Sequence, residues 1–510
     1  MEPLNVKDLL LAPRLDRDQV AALLGPFGFE DPLKADANLQ RMTADPSERQ
    51  MLADIVEEIL QAAAGSANPD QSLNYLERFT EAALNKARLF SYLKETPGII
   101  ELLAKTLGGS PYMAEILIRD PHHFYWLTDP QTLGTARRKR AIERELIQTL
   151  RMLESEQKQL DYLRFFKRRE MLHIGVRDLL RLCPVEQTLS ALSILAEALI
   201  SAAHWICAAA LRHEFGIPNS AFREFTILAM GKLGGGELNF SSDVDLTFLY
   251  SAAQEEAVPV EAFEYFRRLC QKITAGLNDL TAEGYVYRVD LRLRPEGHGS
   301  KVVNSLEEYQ RYLQTRLRTW ERLALSKAWP VGGSRKLGSA FLAVADEFIY
   351  GLPFGGKELE DVRQMKRQID QEMLKRDQKD RNVKLGTGGI REIELITQSL
   401  QVRFGRQFPE IRNRNTLRAL AALCNRQIIP AEQCETLTKA YLFLRDVENK
   451  LQMVNDAQTH SLPRTHEELT TCARLLGYPG SEPFLQDYQD HTGKVNRIFE
   501  SIDLLLSRQL

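Results

Sequence analysis

The sequence predicts an α+β chain that is mostly α-helical, with a small mixed-sheet core flanked by N-terminal helices and a C-terminal helical bundle. Three observations carry this prediction. Apolar residues recur at helical spacing through residues 1–130 and again beyond about 345. Between these regions, Phe225 to Met230 is an almost wholly apolar run closed by Gly231, as in a buried strand. Further on, Tyr287, Val289, Leu291 and Leu293 alternate with Arg288, Asp290, Arg292 and Arg294, the pattern of a half-buried strand. At 510 residues the chain exceeds what one core serves. It divides into a helical region at 1–130, a helical lead-in at 131–219, a core domain at 220–345 and a bundle at 346–510.

The helices follow in order. Ser47 to Ala63 sets Met51, Leu52, Ile55, Ile59 and Leu60 on one face, with Ser47 and Gln50 as a capping box. Leu73 to Leu93 and Pro97 to Leu107 continue the pattern, and Pro111 opens a helix that stops near Asp120-Pro121. The adjacent His122 and His123 cannot share a helix face and have no carboxylate cluster beside them, so they do not read as a metal site. The basic run Arg137 to Arg140 is answered by Glu143, Glu145, Glu154 and Glu156, which reads as a solvated face. Thr188 to Glu214 is an alanine-rich apolar helix stopped by Gly216-Ile217-Pro218. Val260 to Leu280 is helical in pattern. Ser305 and Glu308 form a capping box for a helix running through Tyr309, Leu313, Leu317, Trp320 and Leu323. Near its end, Arg322 and Lys327 are in reach of a phosphate or of ordinary ion-pair partners.

Composition excludes several classes. There are 66 Lys+Arg against 69 Asp+Glu, too balanced for a general polyanion binder, so no nucleic-acid partner is expected. The six cysteines are scattered without CxxC pairs, which argues against zinc and against a disulfide framework and fits a cytoplasmic location. The N-terminus lacks a signal-peptide pattern. No run was expected to span a membrane. Ile194 to Leu211 comes nearest, but Glu197, His204 and its many alanines read as a buried helix.

The chemistry is concentrated in Gly231 to Leu246. Glycines after a buried strand let backbone N–H groups approach an anion, and Gly234, Gly235 and Ser242 are the candidate phosphate cradle. In an extended strand, Asp243 and Asp245 point to one face while Val244 and Leu246 point to the other. Two carboxylates on one face repel unless a cation lies between them, and such oxygen ligands suit Mg2+ or Mn2+. Asp290, on the polar face of the alternating stretch, is the candidate third acid. Arg292 and Arg294 beside it are candidate anion-binding groups. A second glycine-rich turn, Lys384 to Glu394, opens a helix. Gly388 and Gly389 there could hold an anion at the helix N-terminus, or Glu392 and Glu394 could simply complement the helix dipole.

A strand, a Gly-Gly turn, a Ser and an Asp-x-Asp pair resemble the signature of the nucleotidyltransferase superfamily. The match narrows with further segments: Met230 to Leu246, Gly284 to Pro295, Trp320-Glu321-Arg322 with Lys327-Ala328, Lys384 to Glu394, and Ala440 to Asn449. Together, over residues 110–505, they resemble the glutamine synthetase adenylyltransferase/adenylyl-removing family. That resemblance implies a nucleotidyltransferase-type sheet and a magnesium- or manganese-dependent enzyme. Asp243, Asp245 and Asp290 would be its catalytic and metal-binding acids, and Lys327 would join the phosphate-binding set. It further implies glutamine synthetase as protein substrate, with ATP, ADP and phosphate as small partners, and a PII signalling protein as a regulator. The family is a tandem of two related halves, one adding AMP to a tyrosine and one removing it with phosphate. Asn239-Phe240-Ser241-Ser242-Asp243 resembles the removing half, since the adding half tends to read Gly-Tyr-Gly-Ser-Asp. No second signature follows before Leu510, so the chain reads as the removing half or a stand-alone relative. The alternatives are forward adenylylation with ATP, and a catalytically retired nucleotide-sensing or PII-binding module. The intact set of three acids argues against the last.

Overall fold

The strand predicted at the centre of the chain forms as β1 (Phe225–Ala229), and all of its residues are buried. Its almost wholly apolar run has a simple cause. Phe225, Ile227 and Ala229 belong to an apolar cluster built with the N-terminal helices, whereas Leu228 and Met230 belong to a second cluster built with the C-terminal helices. β2 (Val244–Tyr250) is shared in the same way: Val244, Leu246 and Phe248 face the first cluster and Leu249 the second. A strand covered on both faces loses the polar alternation of an exposed one. The structure, a computed structural model, describes residues 4–218, 224–251, 260–297 and 299–507. The 219–220 boundary expected from the sequence therefore lies outside the described residues.

The sheet is mixed. β1 pairs antiparallel with β2 on one side and with β5 (Trp329–Gly333) on the other. The free edge of β2 is taken first by β3 (Val289–Asp290) and then by β4 (Val303–Ser305), both parallel to it. The register sets Asp245 opposite Asp290. The long strand expected from 287 to 294 is thus cut to two residues. Asp290 is the cause: its Oδ1 accepts the Arg292 amide at 2.8 Å, which turns the chain out of the sheet.

The helices match the sequence pattern in kind and differ at their ends. The helix Pro46–Ala64 is capped by Asp45, which accepts from the amides of Ser47 and Glu48, and not by Ser47. Pro46 at the first helical position fixes that start. The expected helix at 73–93 is two, Pro69–Ala82 and Lys86–Glu95, because Asn85 caps a new start. The capping box of Ser305 and Glu308 forms as read, but its helix ends at Arg316 and Trp320 lies on a separate helix, Thr319–Leu325. There the Arg318 amide donates to Glu321 Oε2 at 2.8 Å and opens the new turn.

Val185–Phe215 is one helix of 31 residues ending at Gly216 in the left-handed region. It lies against the sheet, with His204 stacked on Phe225 at 5.4 Å between ring centres. It is long and apolar enough to cross a membrane, which the sequence reading does not expect, but 67% of its apolar stretch is buried within the fold, in line with the buried helix read there. A second correction concerns the cysteines. Cys424 and Cys434 form a disulfide with Cα atoms 6.1 Å apart, joining the helices Thr416–Asn425 and Ala431–Asn455. A connection of a few residues between antiparallel helices brings these two side chains together without any CxxC spacing.

Candidate active site

Asp243, Asp245 and Asp290 line one cleft of about 210 Å³ between the sheet and the C-terminal helices. Asp245 has the phase of Leu249, so it points to the C-terminal side of the sheet. Gly231 makes room for it. With φ at 55°, Gly231 sits so close that a β-carbon there would lie 2.5 Å from Asp245 Oδ2. Burial, then the charges of Asp290 and Asp243, push the Asp245 carboxyl up to about 6, and nothing among the described residues donates to it.

The other two acids are occupied. Arg288 Nε donates to Asp243 Oδ1 at 2.6 Å and Gln458 to its Oδ2 at 3.0 Å. Arg292 Nε donates to Asp290 Oδ2 at 2.7 Å. As they stand, the three do not close on one point, and among the described residues no three acid, His or Cys side chains gather into a metal-holding group. Their chemistry nevertheless fits a divalent ion. Asp245 is a half-buried carboxylate whose nearest charged neighbours in the sheet are two more carboxylates, a repulsion that a hard cation relieves.

The opposite wall comes from the C-terminal helices. Lys384 and Arg391 flank the glycine turn that opens the helix Ile390–Phe404. The Lys384 ammonium has no ion pair or hydrogen bond among the described residues, and its charge acts on Asp245. Arg391 lies 3.4 Å from Glu394. Leu293, Trp320 and Ala324 supply the apolar part of the lining.

Several residues singled out from the sequence sit elsewhere or act differently. Ser242 lines the cleft, and its hydroxyl accepts the Asn239 amide at 3.3 Å. Gly234 and Gly235 belong to a one-turn helix, Gly231–Gly235, whose glycines permit close packing: a β-carbon on Gly234 would collide with the Lys327 carbonyl. The Gly234 amide already donates to Met230, so it has no N–H left for a phosphate. Gly388 and Gly389 are buried behind the cleft. The Gly388 amide donates to Glu392 at 2.9 Å, and Glu392 also pairs with Lys366 at 2.8 Å. Arg294 turns away to Ser300 Oγ at 3.1 Å and the Leu291 carbonyl, holding the loop after β3. Arg322 donates to the carbonyls of Ile349, Leu352 and Pro353.

Lys327 edges the cleft, but its ammonium is spent on Glu237 at 2.9 Å, Glu394 at 2.8 Å and Thr416 at 3.1 Å. Burial opposes its charge, yet Glu237 and Glu394 outweigh burial and hold it above the usual lysine range.

The sequence reading also missed a polar spine inside the helix Ala431–Asn455. Arg445, Glu448, Asn449, Lys450 and Gln452 are all buried; Lys450 pairs with Asp178, and the other four grip the segment before β2. Asn239 donates to Asn449 at 2.8 Å, the Ser241 amide to Gln452 at 3.2 Å, and Lys232 to Glu448 at 2.6 Å. The signal was present as a polar run breaking the stripe of Leu444, Val447 and Leu451. Gln458 and His460, on the segment after this helix, also line the cleft, and nothing in their spacing marks them.

Comparison with known proteins agrees with this geometry. Residues 100–344 match the glutamate-ammonia ligase adenylyltransferase family. Residues 363–502 match a GlnD PII-uridylyltransferase family. Curated relatives named bifunctional glutamine synthetase adenylyltransferase/adenylyl-removing enzyme include one from Nitrosococcus oceani, 36% identical over 84% of this chain and 45% of its own length. One from Psychromonas ingrahamii is 35% identical over 78% of this chain and 42% of its own length. One from Xanthomonas campestris is 39% identical over 64% and 35%. The chain thus spans less than half the length of these relatives, and its residues 100–344 belong to the glutamate-ammonia ligase adenylyltransferase family.

Proposed function

We propose that this cleft removes AMP from an adenylylated tyrosine of glutamine synthetase by attack of inorganic phosphate, releasing ADP. The observation that carries the reading is the pairing of Asp245 with Asp290, joined by Asp243, across from a Lys384 ammonium that has no anionic partner among the described residues. Acids on one wall and a cation on the other suit a phosphoryl group held between them. The direction rests on the resemblance of Asn239-Phe240-Ser241-Ser242-Asp243 to the removing half of the family.

Asp243, Asp245 and Asp290 would hold Mg2+ or Mn2+. Such an ion neutralises charge on the transferred phosphoryl group and polarises its oxygens. The protein's own groups do the rest. Lys384 and Arg391 bind the incoming phosphate. Leu293, Trp320 and Ala324 offer the adenine ring an apolar wall. Arg288 and Arg292 hold Asp243 and Asp290 in place and balance their charge. The match of 363–502 to a PII-uridylyltransferase supports a PII-type partner on the C-terminal helices.

The test uses adenylylated glutamine synthetase, phosphate and Mg2+. ADP should appear with the wild-type chain and not with Asp245→Asn. Transfer of labelled AMP from ATP to glutamine synthetase, without ADP release in the first assay, would reverse the assigned direction.

A further inference from the structure

We propose that His460, paired with Glu448, is the acid–base group that serves the tyrosine oxygen in this cleft. The inference rests on the reading above, that the bond broken or made joins a tyrosine oxygen to the AMP phosphorus.

His460 lies beyond the helix Ala431–Asn455, on the segment that also brings Gln458 to Asp243. Glu448 Oε1 lies 2.8 Å from His460 Nδ1 as an ion-pair partner, and His460 lines the cleft. The carboxylate is itself fixed. Glu448 is fully buried, with Lys232 2.6 Å from Oε1 and Arg445 3.0 Å from Oε2. Burial opposes its charge, but Lys232 and Arg445 outweigh burial and hold it ionised. The backbone is pinned as well: the Val383 amide donates to the His460 carbonyl at 2.8 Å, and Asn382 and Ser461 form a bridge. An imidazole with a buried carboxylate beside one nitrogen has a charge partner on that side, an arrangement in which histidine moves a proton at the other nitrogen.

The reaction needs such a group. In removal, an oxygen of hydrogenphosphate bonds to the AMP phosphorus, and the bond from phosphorus to the tyrosine oxygen breaks with its electron pair on that oxygen. A tyrosine hydroxyl has a pKa of about 10, so at neutral pH the leaving oxygen must gain a proton. The His460 imidazolium donates it from Nε2, and the proton that hydrogenphosphate gives up as ADP forms restores the imidazolium. In the reverse direction the same nitrogen takes the proton from tyrosine. The other side chains of the cleft are less suited. Glu394 is paired with Lys327 and Arg391, and Lys232 with Glu448. Burial holds the His460 imidazole below its usual range; Glu448 opposes this and favours protonation, while Lys232 and Lys384 add to the lowering.

The experiment compares His460→Ala and His460→Gln with wild type on adenylylated glutamine synthetase, phosphate and Mg2+, after melting curves show both variants folded. We expect kcat to fall about 100-fold or more with the KM for phosphate unchanged. Added imidazole should restore part of the His460→Ala rate. With glutamine synthetase carrying difluorotyrosine, a far more acidic leaving group, the deficit should shrink about tenfold or more. An equal deficit with both tyrosines and no rescue by imidazole would overturn the assignment, leaving His460 a structural residue. If wild type instead transfers AMP from ATP, the direction proposed above fails while His460 stays on trial: loss of that transfer supports it and retention refutes it. A wild-type chain inactive both ways overturns both readings.

Discussion

Replacing Lys327 by methionine separates two roles for one lysine: phosphate ligand, as the sequence suggests, or buried counter-ion, as the structure places it. The ammonium contacts Glu237 at 2.9 Å and Glu394 at 2.8 Å, and the three residues are 4%, 2% and 6% exposed. Removing it leaves two carboxylates sharing a dry site with their cation gone. Breaking a buried pair costs about 3–5 kcal/mol, and one of the two acids can take up a proton, so the loss should be about 4 kcal/mol. With a urea slope of about 3 kcal/mol/M, the unfolding midpoint falls by more than about 1 M. Adding Glu394→Gln to Lys327→Met removes one stranded charge and should recover about 1–2 kcal/mol, a coupling that independent sites do not show. Urea unfolding followed by tryptophan fluorescence measures all three variants, and the KM for phosphate is read alongside. A Lys327→Met chain with a wild-type midpoint and a raised phosphate KM would refute the reasoning.

Asp245→Asn should lower ADP release by about a thousandfold or more and abolish the rise in melting temperature that Mg2+ gives the wild type; retained activity would remove the acid from the mechanism. Lys384→Ala should raise the phosphate KM about tenfold to a hundredfold, the worth of a charge-assisted hydrogen bond, with melting unchanged because the ammonium has no partner to lose among the described residues. An unmoved KM would take Lys384 out of the site. Stability should also fall in acid. His173 is 1% exposed, and burial pushes it down to about 4 although Nε2 lies 2.8 Å from the Thr132 carbonyl. The unfolded chain therefore takes up this proton first, so its contribution is whole above pH 6.5 and is lost as pH falls towards 4, by roughly 3 kcal/mol. His173→Gln should narrow the difference in urea midpoint between pH 7 and pH 4.5; an undiminished difference would refute the assignment.

What could be read from sequence was what lies close together along it. Asp243 and Asp245 stand out because they interrupt an apolar strand at spacing two, and β1 because both its faces are covered. Asp290 was findable from its polar face, but the turn it makes by capturing the Arg292 amide was not, since alternation alone promises a longer strand. The surroundings of the acids depend on distant partners. Lys327 looked free because Glu237 lies 90 residues before it and Glu394 lies 67 after it. Gly234 looked like a phosphate cradle because the Lys327 carbonyl filling its open side is equally far away. Lys384 and His460 sit on irregular segments, where no period marks the direction of a side chain. Even the disulfide needed the return of one helix along another to become visible.

The way β1 and β2 are shared between two apolar clusters has a consequence for heredity. Neither cluster is complete without the strands, and the strands are dry on both faces only when both clusters are present. The short stretch that carries the acids is therefore not something recombination could lift out and graft elsewhere. Its smallest transferable unit is nearly the whole described chain. A lineage that wanted two such sites in one polypeptide would have to copy the entire block, helices included, and each copy could then diverge in its chemistry without disturbing the interior of the other.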